Sequence, residues 1–520
     1  MDEAPGRSPE ARHLISGVVV LFVARVTAAA LALVQTILLA TKFGASASTD
    51  AWFLASALCF LFIAPIETAL NVAFVPAFVH RAETEGEAAA WRIAAGLFRI
   101  GLLAAGGVAL LLGVVAPWLA PLLAPGFDDV TNLQMARFIQ VMAPVVLFGY
   151  AAAFLSSLDF IEGRYVLPAV GMIVSAATGP VALLLFADRY GVLSLAWGAV
   201  LGAIVRCLLV IRVPQARRLL GPGMKLRDPA LRELGWTIAS RLLTSGFLEL
   251  NMMVDRVFAS LLGPGFISAL AYASRAVTTV VRVFLIPMAR MLLPSLTRLA
   301  ARRRYDRIRG LLEKLVIGLA FVMLPLVAFM VAFRTELLGI LFQRGAFDAA
   351  AVDTTAEALL YYTLGIIPFL MTPLLSGAFF ALQDSATPLR IGIVCVVANV
   401  GLDALLMLAL GHGGIALATS LVGAIRTFLL WVYLGRRVGA LRTRFVLGSL
   451  LVSSATAALA FWGAQVLVTW SDPAWLVPLS RLVACGVIGG AGYLLLQALF
   501  NRPVVRMIPA VLGRLQAGRP

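Results

Sequence analysis

Long apolar segments separated by short polar loops run along almost the entire chain. Fourteen of these segments reach the length of about 20 residues that an α-helix needs to cross the bilayer core. They cover roughly residues 14–41, 51–79, 93–116, 134–158, 165–187, 192–211, 236–262, 267–297, 312–333, 355–382, 389–410, 413–435, 445–470 and 478–500. No segment alternates apolar and polar residues as membrane barrel strands do, so helices must satisfy the backbone. The pattern predicts an all-α polytopic membrane protein with about fourteen transmembrane helices.

The apolar segments also recur along the chain, at a distance of roughly 220 residues. Matched landmarks are Gly126 with Gly345, Pro168 with Pro388, and Arg206 with Arg426. Six segments per copy is an even number, so both copies start on the same side of the membrane and form a parallel repeat. Secondary transporters are commonly built from such repeats, with the substrate between the halves. We therefore expect two six-helix lobes with two extra C-terminal helices.

Domain boundaries follow from the repeat and from the loops that carry charge. We expect a cytoplasmic N-terminal segment 1–13, a first lobe 14–211, a basic cytoplasmic linker 212–235, a second lobe 236–440, two further spans 441–500 and a basic cytoplasmic tail 501–520.

Composition and charge placement agree with this class. Hydrophobic residues make up 61% of the chain and charged residues 13%, whereas soluble domains have about twice that charged share. The net charge of +16 resides mainly in loops on one side, while the opposite loops carry only Lys42, Arg189, Arg334 and Arg344. An excess of Lys and Arg marks the cytoplasmic side, which predicts that both termini are cytoplasmic. Anionic membrane lipids are a sufficient partner for these clusters, and no nucleic acid is expected.

Motifs of soluble enzymes are missing from the sequence. There is no phosphate-binding loop, and the three histidines, His13, His80 and His412, are scattered along the chain. The four cysteines lie far apart inside predicted spans, which is typical of small buried apolar residues. We predict that the protein is not an enzyme.

Carboxylates inside the spans suggest a cation site. Asp255 lies in the seventh segment, Asn399 and Asp403 lie four positions apart in the eleventh, and Thr419 lies in the twelfth. Charged residues at membrane depth are costly and therefore point to function, and this set of oxygen atoms suits a hard cation such as Na⁺, with H⁺ as the other candidate. The alternative is that each residue caps a helix end or pairs with a neighbour such as Arg256.

Arginines form a second group at membrane depth. They are Arg25, Arg241, Arg275, Arg282 and Arg290. The last three are seven and eight positions apart, so they share one helix face, and guanidinium groups match phosphate oxygens. An anionic substrate in a cavity is one interpretation, and side chains that reach the headgroups are the other. Glu67 is a candidate counter-ion or proton carrier, or else a neutral buried acid.

Short motifs in both lobes resemble the MurJ/MviN lipid II flippases of the multidrug/oligosaccharidyl-lipid/polysaccharide exporter superfamily. The matching stretches are 43–45, 49–53, 73–76, 268–275, 292–296, 341–347, 383–388 and 414–420. They occur in order between about residues 14 and 440, and together they are specific.

The resemblance implies a flippase that moves undecaprenyl-pyrophosphate-linked saccharide, most simply lipid II, across the bacterial cytoplasmic membrane by cation-coupled alternating access. It implies an arginine-lined cavity, a groove by the last two helices for the lipid tail, and a sodium site. The expected substrate-binding residues are Arg25, Asp50, Glu67, Ser268, Arg275 and Arg282. The expected ion ligands are Asp255, Asn399, Asp403, Ile415 and Thr419. No cofactor other than a possible Na⁺ is expected, and the expected state is a monomer.

Several family charges are absent. Where the family carries Arg-Asp in its first helix this chain has Gln35-Thr36, and its double Arg in the second helix falls at Phe62-Ile63. The acidic neighbour of Arg275 is replaced by Ser274. The alternatives are therefore a flippase for an exopolysaccharide or O-antigen unit, a cation-coupled drug antiporter, or a pseudo-flippase that does not transport.

Overall fold

The computed structural model describes residues 9–221, 228–439, 442–470, 478–501 and 504. Within these ranges the regular secondary structure is helical and no strand occurs. The chain divides into two compact units, Met1–Ser268 with Gly345–Phe347 and Ala269–Arg344 with Asp348–Pro520. The expected linker 212–235 falls inside the first unit. Its residues 222–227 lie outside the described part, as do residues 1–8 and most of the expected tail 501–520.

The helices of the first unit form spans that we number in chain order. They are span 1 (Pro9–Phe43), span 2 (Ala47–Phe60, Ile63–Ala69, the π-helix Leu70–Phe74 and Val75–Glu85), span 3 (Glu87–Leu123), span 4 (Asp129–Met142 and Pro144–Ile161), span 5 (Val166–Tyr190), span 6 (Leu193–Val210), a short helix Val213–Leu220, and span 7 (Pro229–Ser260). Prolines explain two interruptions, because Pro65 and Pro144 lack the N–H that would continue the preceding helix.

The second unit continues the series. It contains most of span 8 (Phe266–Ala301), span 9 (Tyr305–Ala332), a short helix Arg334–Phe342, span 10 (Ala349–Leu364 and Ile366–Ala381), the long helix Ala386–Val438, span 13 (Thr443–Trp470) and span 14 (Pro478–Phe500). The long helix is interrupted at Gly411, whose φ of 56° and ψ of −135° are not helical. We call its two parts span 11 and span 12.

Helix length and composition confirm the predicted fold class. Among the described residues, eleven helices are long and apolar enough to cross a membrane, and the bent pair of span 10 makes a twelfth. One of the eleven is the 53-residue helix that holds both span 11 and span 12. Span 7 has 32 residues, which is ample length for a crossing. A count of fourteen spans is therefore compatible with the structure.

Large apolar side chains lie exposed along the spans. Leu103, Leu110, Leu408 and Leu451 are each more than 70% exposed, and Trp462 is 65% exposed. Such a surface would drive association in water, whereas lipid chains cover it without cost. These faces are the expected lipid-facing surface of a membrane protein.

The repeat is visible in matching backbone geometry 220 positions apart. Asp128 caps span 4 by accepting from Thr131 N at 3.3 Å, and Asp348 caps span 10 by accepting from Ala351 N at 2.8 Å. Gly191, between spans 5 and 6, has φ 59° and ψ −145°, close to the values of Gly411 between spans 11 and 12. The two copies therefore share the same local turns.

The ends of spans 4 and 10 repeat the same hydrogen bonds. In the first copy Glu162 N donates to Leu158 O at 3.1 Å and Arg164 N to Asp159 O at 2.8 Å; in the second Leu382 N donates to Ala378 O at 3.1 Å and Asp384 N to Phe379 O at 2.9 Å. Sequence similarity between the copies is faint here, so the turn geometry is the stronger evidence of duplication.

Spans 13 and 14 pair with each other through polar side chains. Gln497 donates to Thr456 Oγ1 at 2.8 Å, and Asn501 donates to Ser453 Oγ at 3.2 Å. Tyr493 donates to the backbone oxygen of Phe321 in span 9 at 3.0 Å. Interhelical hydrogen bonds of this kind stabilise helix association in membranes, and they fix the two extra helices to the second unit.

Gly411→Ala is expected to destabilise the protein by about 1–3 kcal/mol, because an alanine at this φ and ψ is strained. The measurement is the melting temperature of the purified protein in detergent. Gly401→Ala is the matched control, since Gly401 is helical and nothing lies within 4 Å of an added Cβ. Equal melting temperatures for the two variants would contradict the break between spans 11 and 12.

Candidate substrate and cation sites

Asp50 is positioned by a well-defined helix start. Ser46 is the N-cap of the first helix of span 2, and it exchanges side-chain and backbone hydrogen bonds with Thr49 in a capping box. Asp50 follows in the first turn, and its side chain is fully buried. Since the cap fixes the direction of this turn, it also fixes where the carboxylate points.

The Asp50 carboxylate accepts three hydrogen bonds, one from the loop before span 8 and two from the first turn of span 8. Gly265 N and Ser268 N each donate to it at 2.6 Å, and Ser268 Oγ donates to it as well. Ser268 Oγ also lies 2.7 Å from Thr49 Oγ1. Charge-assisted hydrogen bonds of this kind are roughly twice as strong as neutral ones. Two expected substrate-binding residues, Asp50 and Ser268, are thus in contact with each other and both are fully buried.

Glu67 forms an ion pair at membrane depth. Its carboxylate lies 2.6 Å from Arg206 Nη2 of span 6. The π-helix begins three residues after Glu67, and Asn71 within that helix donates to Glu67 O at 2.8 Å. Single π turns inside spans are common at functional sites. The structure therefore places Glu67 opposite a cation that we did not assign to the site from sequence.

Arg206 carries a signal that the sequence analysis did not use. It is a charged residue in the apolar span 6, and it is one of the landmarks that recur in the repeat, with Arg426 as its counterpart. Both arginines lie against a glycine of the preceding span, Gly171 in one copy and Gly392 in the other. Because glycine has no side chain, the arginine side chains have room to pack between the helices.

The expected cationic residues lie in both units. Arg25 in the first unit is exposed, Arg275 in the second is half-buried, and Arg282 in the second is exposed. The side chains of Arg241 and Arg290 lie outside the described residues. Arg275 and Arg282 are seven positions apart on one helix, as the sequence indicated, and they share a face of span 8.

The expected ion ligands are also divided between the units. Asp255 belongs to the first unit and is only 4% exposed. In the second unit Asn399 and Asp403 are fully buried, and Asn399 Nδ2 donates to Asp403 Oδ2 at 2.6 Å. Thr419 Oγ1 donates to Ile415 O at 3.1 Å, so those two ligands also lie in contact.

These residues provide oxygen atoms, which are the ligands that a hard cation requires. Carboxylate, amide, hydroxyl and carbonyl oxygens are all present, and they are the ligands that Na⁺ takes in proteins. The described residues contain no group of three or more His, Cys, Asp or Glu side chains that could hold a metal ion. The donors in contact within the second unit are the pairs Asn399–Asp403 and Ile415–Thr419.

An apolar cavity of about 820 Å³ lies inside the second unit. Spans 9, 10, 12 and 13 line it, with Leu324, Met371, Phe428 and Trp462 among the wall residues and Arg334 beside it. The wall residues of span 9 run from Val316 to Ala332, a rise of roughly 24 Å at 1.5 Å per residue. The cavity is therefore elongated along the spans.

Comparison with known proteins decides the family. Residues 39–480 match the family model described as Lipid II flippase MurJ. The chain belongs to the MurJ lipid II flippase family. A probable lipid II flippase MurJ of Synechocystis sp. is 29% identical over 389 residues, 69% of this chain and 71% of the relative. Lipid II flippase MurJ of Burkholderia cenocepacia is 24% identical over 418 residues, 78% of this chain and 80% of the relative.

Solved structures share the MurJ fold. Lipid II flippase MurJ in an inward closed conformation aligns with a TM-score of 0.78 at 20% identity, covering 94% of this chain and 100% of the other. An inward-facing multidrug resistance MATE family transporter of the MOP superfamily aligns with a TM-score of 0.69 at 16% identity, covering 80% and 96%. Identities this low show the fold alone. The resemblance drawn from the motifs is confirmed at the level of the family.

This MurJ family member departs from the family pattern in span 1, and the structure accounts for one replacement locally. Thr36 is buried and donates its hydroxyl to Ala32 O at 2.8 Å, a bond within its own helix. Gln35 lies against the backbone of Gly179 in span 5. These neutral side chains therefore pack between helices of the first unit.

Asp50→Asn is expected to destabilise the protein by about 1–3 kcal/mol, because one of the accepting oxygens becomes an N–H donor that faces other donors. Thermal unfolding in detergent measures the effect. Asp129→Asn is the matched control, since Asp129 is exposed in the first turn of span 4. A loss of stability no larger than that of the control would contradict the hydrogen bonds described for Asp50.

Proposed function

We propose that this protein flips an undecaprenyl-pyrophosphate-linked saccharide, lipid II, across the bacterial cytoplasmic membrane. The observation that carries the proposal is the match of residues 39–480 to the MurJ family, supported by relatives named as lipid II flippases. Flippase families move a lipid between leaflets without a covalent step, so no catalytic residue is assigned. The positive loops argue that both termini are cytoplasmic.

Arginines are the proposed ligands of the pyrophosphate. Arg275 and Arg282 share one face of span 8, and a guanidinium group can form two parallel bonds to phosphate oxygens. Arg25 is the one expected cation of span 1 within the described part of the chain, since Gln35-Thr36 replace the family's charged pair. We propose that Arg25, Asp50, Glu67, Ser268, Arg275 and Arg282 contact the substrate or position the residues that do.

A second saccharide is a candidate for the headgroup of the transported lipid. The neutral Gln35-Thr36 and Phe62-Ile63 favour a changed headgroup over loss of transport, because the second-lobe arginines and the buried acids remain. An exopolysaccharide or O-antigen repeat unit on the same lipid would present the same pyrophosphate with a different sugar.

The second unit contains a cavity that could hold the lipid tail. The apolar cavity beside span 13 offers about 820 Å³, and its length is comparable with the bilayer core of about 30 Å. Arg334 beside the cavity suits a lipid phosphate at the membrane surface. We propose this cavity as a binding site for part of the polyprenyl chain.

Transport is proposed to follow alternating access with cation coupling. Two lobes from a parallel repeat can open to one side at a time. Asp255, Asn399, Asp403, Thr419 and the carbonyl oxygen of Ile415 are the proposed ligands of Na⁺, and burial of Asn399 and Asp403 provides the low dielectric in which such a site binds strongly. Bound Na⁺ would offset the negative charge of the buried Asp403 carboxylate. A monomer is the proposed functional state.

Arg275→Ala is expected to reduce flipping by about 10- to 100-fold, since charge-assisted bonds to a phosphate contribute about 1.5–3 kcal/mol. Arg275→Lys should recover only part of the activity because an ammonium group cannot make the two-pronged contact. Transfer of fluorescent lipid II in proteoliposomes is the assay. Arg298→Ala, in an exposed cytoplasmic position, is the control; equal activity of the Arg275 and Arg298 variants would argue against a substrate contact.

Sodium is expected to raise the melting temperature of the wild-type protein, and Asp403→Asn should abolish the rise. A ligand at about 100 times its dissociation constant stabilises by about 2.7 kcal/mol. The measurement is a titration with NaCl at constant ionic strength, set by choline chloride. Asp353→Asn, exposed near the start of span 10, is the control and should retain the response. A flat wild-type titration would refute the sodium site.

Complementation of two flippase-deficient strains distinguishes between the two candidate saccharides. Expression in a strain depleted of its lipid II flippase is expected to restore growth, and expression in a strain that lacks an exopolysaccharide flippase is expected to have no effect. The reverse result would support the exopolysaccharide unit. Failure in both strains, with the protein present in the membrane, would overturn the flippase assignment.

A further inference from the structure

Two glycines in loops of the first unit lie directly against the ends of other spans. A Cβ added to Gly345, in the loop before span 10, would overlap the carbonyl oxygen of Thr41 near the end of span 1. A Cβ added to Gly126, in the loop before span 4, would overlap the carbonyl oxygen of Ser260 at the end of span 7. We name these the Gly345 contact and the Gly126 contact. Both are close approaches of backbone to backbone that only glycine permits.

The internal repeat relates these two contacts to each other. Thr41 and Ser260 are 219 positions apart, and so are Gly126 and Gly345. This is the offset at which the helix caps and glycine turns recur, within one residue. Each copy therefore places the loop before its fourth span on the end of the other copy's first span, so one contact is made twice in reciprocal form.

The two contacts lie on the same side of the membrane. Spans 1 and 7 end there, and spans 4 and 10 begin there. The loops on this side carry few Lys and Arg residues, which marks it as the outer side in the proposed orientation. The three hydrogen bonds of Asp50 to residues 265 and 268 lie at the same span ends.

Hydrogen bonding differs between the copies. Ala346 N donates to Thr41 O at 2.8 Å in the Gly345 contact. The equivalent amide of the Gly126 contact, Phe127 N, donates instead to Ala124 O at 3.1 Å. The hydroxyls of Thr41 and Ser260 do not differ, since both donate within their own helices. In both contacts the atom nearest to an added Cβ is a backbone carbonyl oxygen. Such contacts suit a closure that must form and break repeatedly.

We propose that the Gly345 and Gly126 contacts are a matched pair that closes the outer side of the protein and separates in concert when it opens outward. The proposal rests on the alternating access proposed above. A cavity that opens to either side requires contacts between the repeats to break on one side at a time. Because the repeat makes the two contacts equivalent, opening one is expected to open the other.

The test measures the accessibility of the Gly126 contact while the Gly345 contact is perturbed. The reporter is Ser260→Cys, in a background where Cys59, Cys207, Cys395 and Cys485 are Ala; Ser260 is fully buried, so the new thiol is protected in the closed state. Labelling by a membrane-impermeant maleimide is measured in right-side-out vesicles. Gly345→Ala is expected to increase the labelling rate about tenfold, because overpacking a close contact shifts the closed state toward the open one.

A control variant accounts for the backbone strain that an alanine causes at a positive φ. Gly345 has φ 59°, and Gly191 has the same φ of 59° but nothing within 4 Å of an added Cβ. Gly191→Ala therefore places an alanine at the same positive φ without overlap, and it should leave the labelling of Ser260→Cys unchanged. Equal labelling in the Gly345 and Gly191 variants would overturn the proposal.

A second measurement does not depend on tolerance of the glycine variants. A disulfide between Thr41→Cys and Ala346→Cys, in the same background, is expected to hold the Gly345 contact closed and to stop flipping until it is reduced. Full cross-linking with undiminished flipping would overturn the proposal while leaving the flippase function intact. Conversely, increased labelling in the Gly345 variant with no flipping by the parent protein would support the concerted contacts and refute the flippase function.

Discussion

A charged group inside a membrane span has no water to solvate it, and this constraint organises the polar residues of the structure. Glu67 is matched by Arg206 at 2.6 Å, and the Asp50 carboxylate is surrounded by donors of residues 265 and 268. In the second unit Asn399 contacts Asp403. The first two pairings join different helices, whereas Asn399 and Asp403 lie one turn apart on the same helix. The polar residues of the spans therefore define which helices must be neighbours.

Duplication gives the protein its second organising feature, and the two copies have diverged at their charges more than at their turns. Helix caps and glycine turns recur 220 positions apart with nearly equal dihedral angles, as Gly191 and Gly411 show. The arginine recurs as Arg206 and Arg426, but the acids do not, since Asn399 and Asp403 fall opposite Gly179 and Leu183 of the first copy. Turn geometry is needed by both copies to fold, while an ion or substrate site is needed only once.

Spans 1 and 2 carry neutral residues at positions where the resemblance led us to expect charges, and this bears on the anionic substrate that we propose. Gln35 packs against span 5 and Thr36 bonds within its helix, so these positions now serve helix packing. The charged residues that remain include Arg25, Asp50 and the Glu67–Arg206 pair in the first unit and Arg275 with Arg282 in the second. A pyrophosphate would thus rely more on the second lobe than the family pattern implies.

Hydropathy alone determined the membrane class, the approximate number of spans and the repeat, because the cost of exposing peptide groups to lipid forces long apolar helices wherever the chain crosses. The short motifs added the family. Only the tertiary structure decided that Asp50 contacts Ser268, that Arg206 pairs with Glu67, and that Gly126 and Gly345 make reciprocal contacts. These residues are between 134 and 304 positions away from what they touch. Contacts over such separations depend on how helices pack, and side-chain periodicity within one helix carries no information about its neighbour.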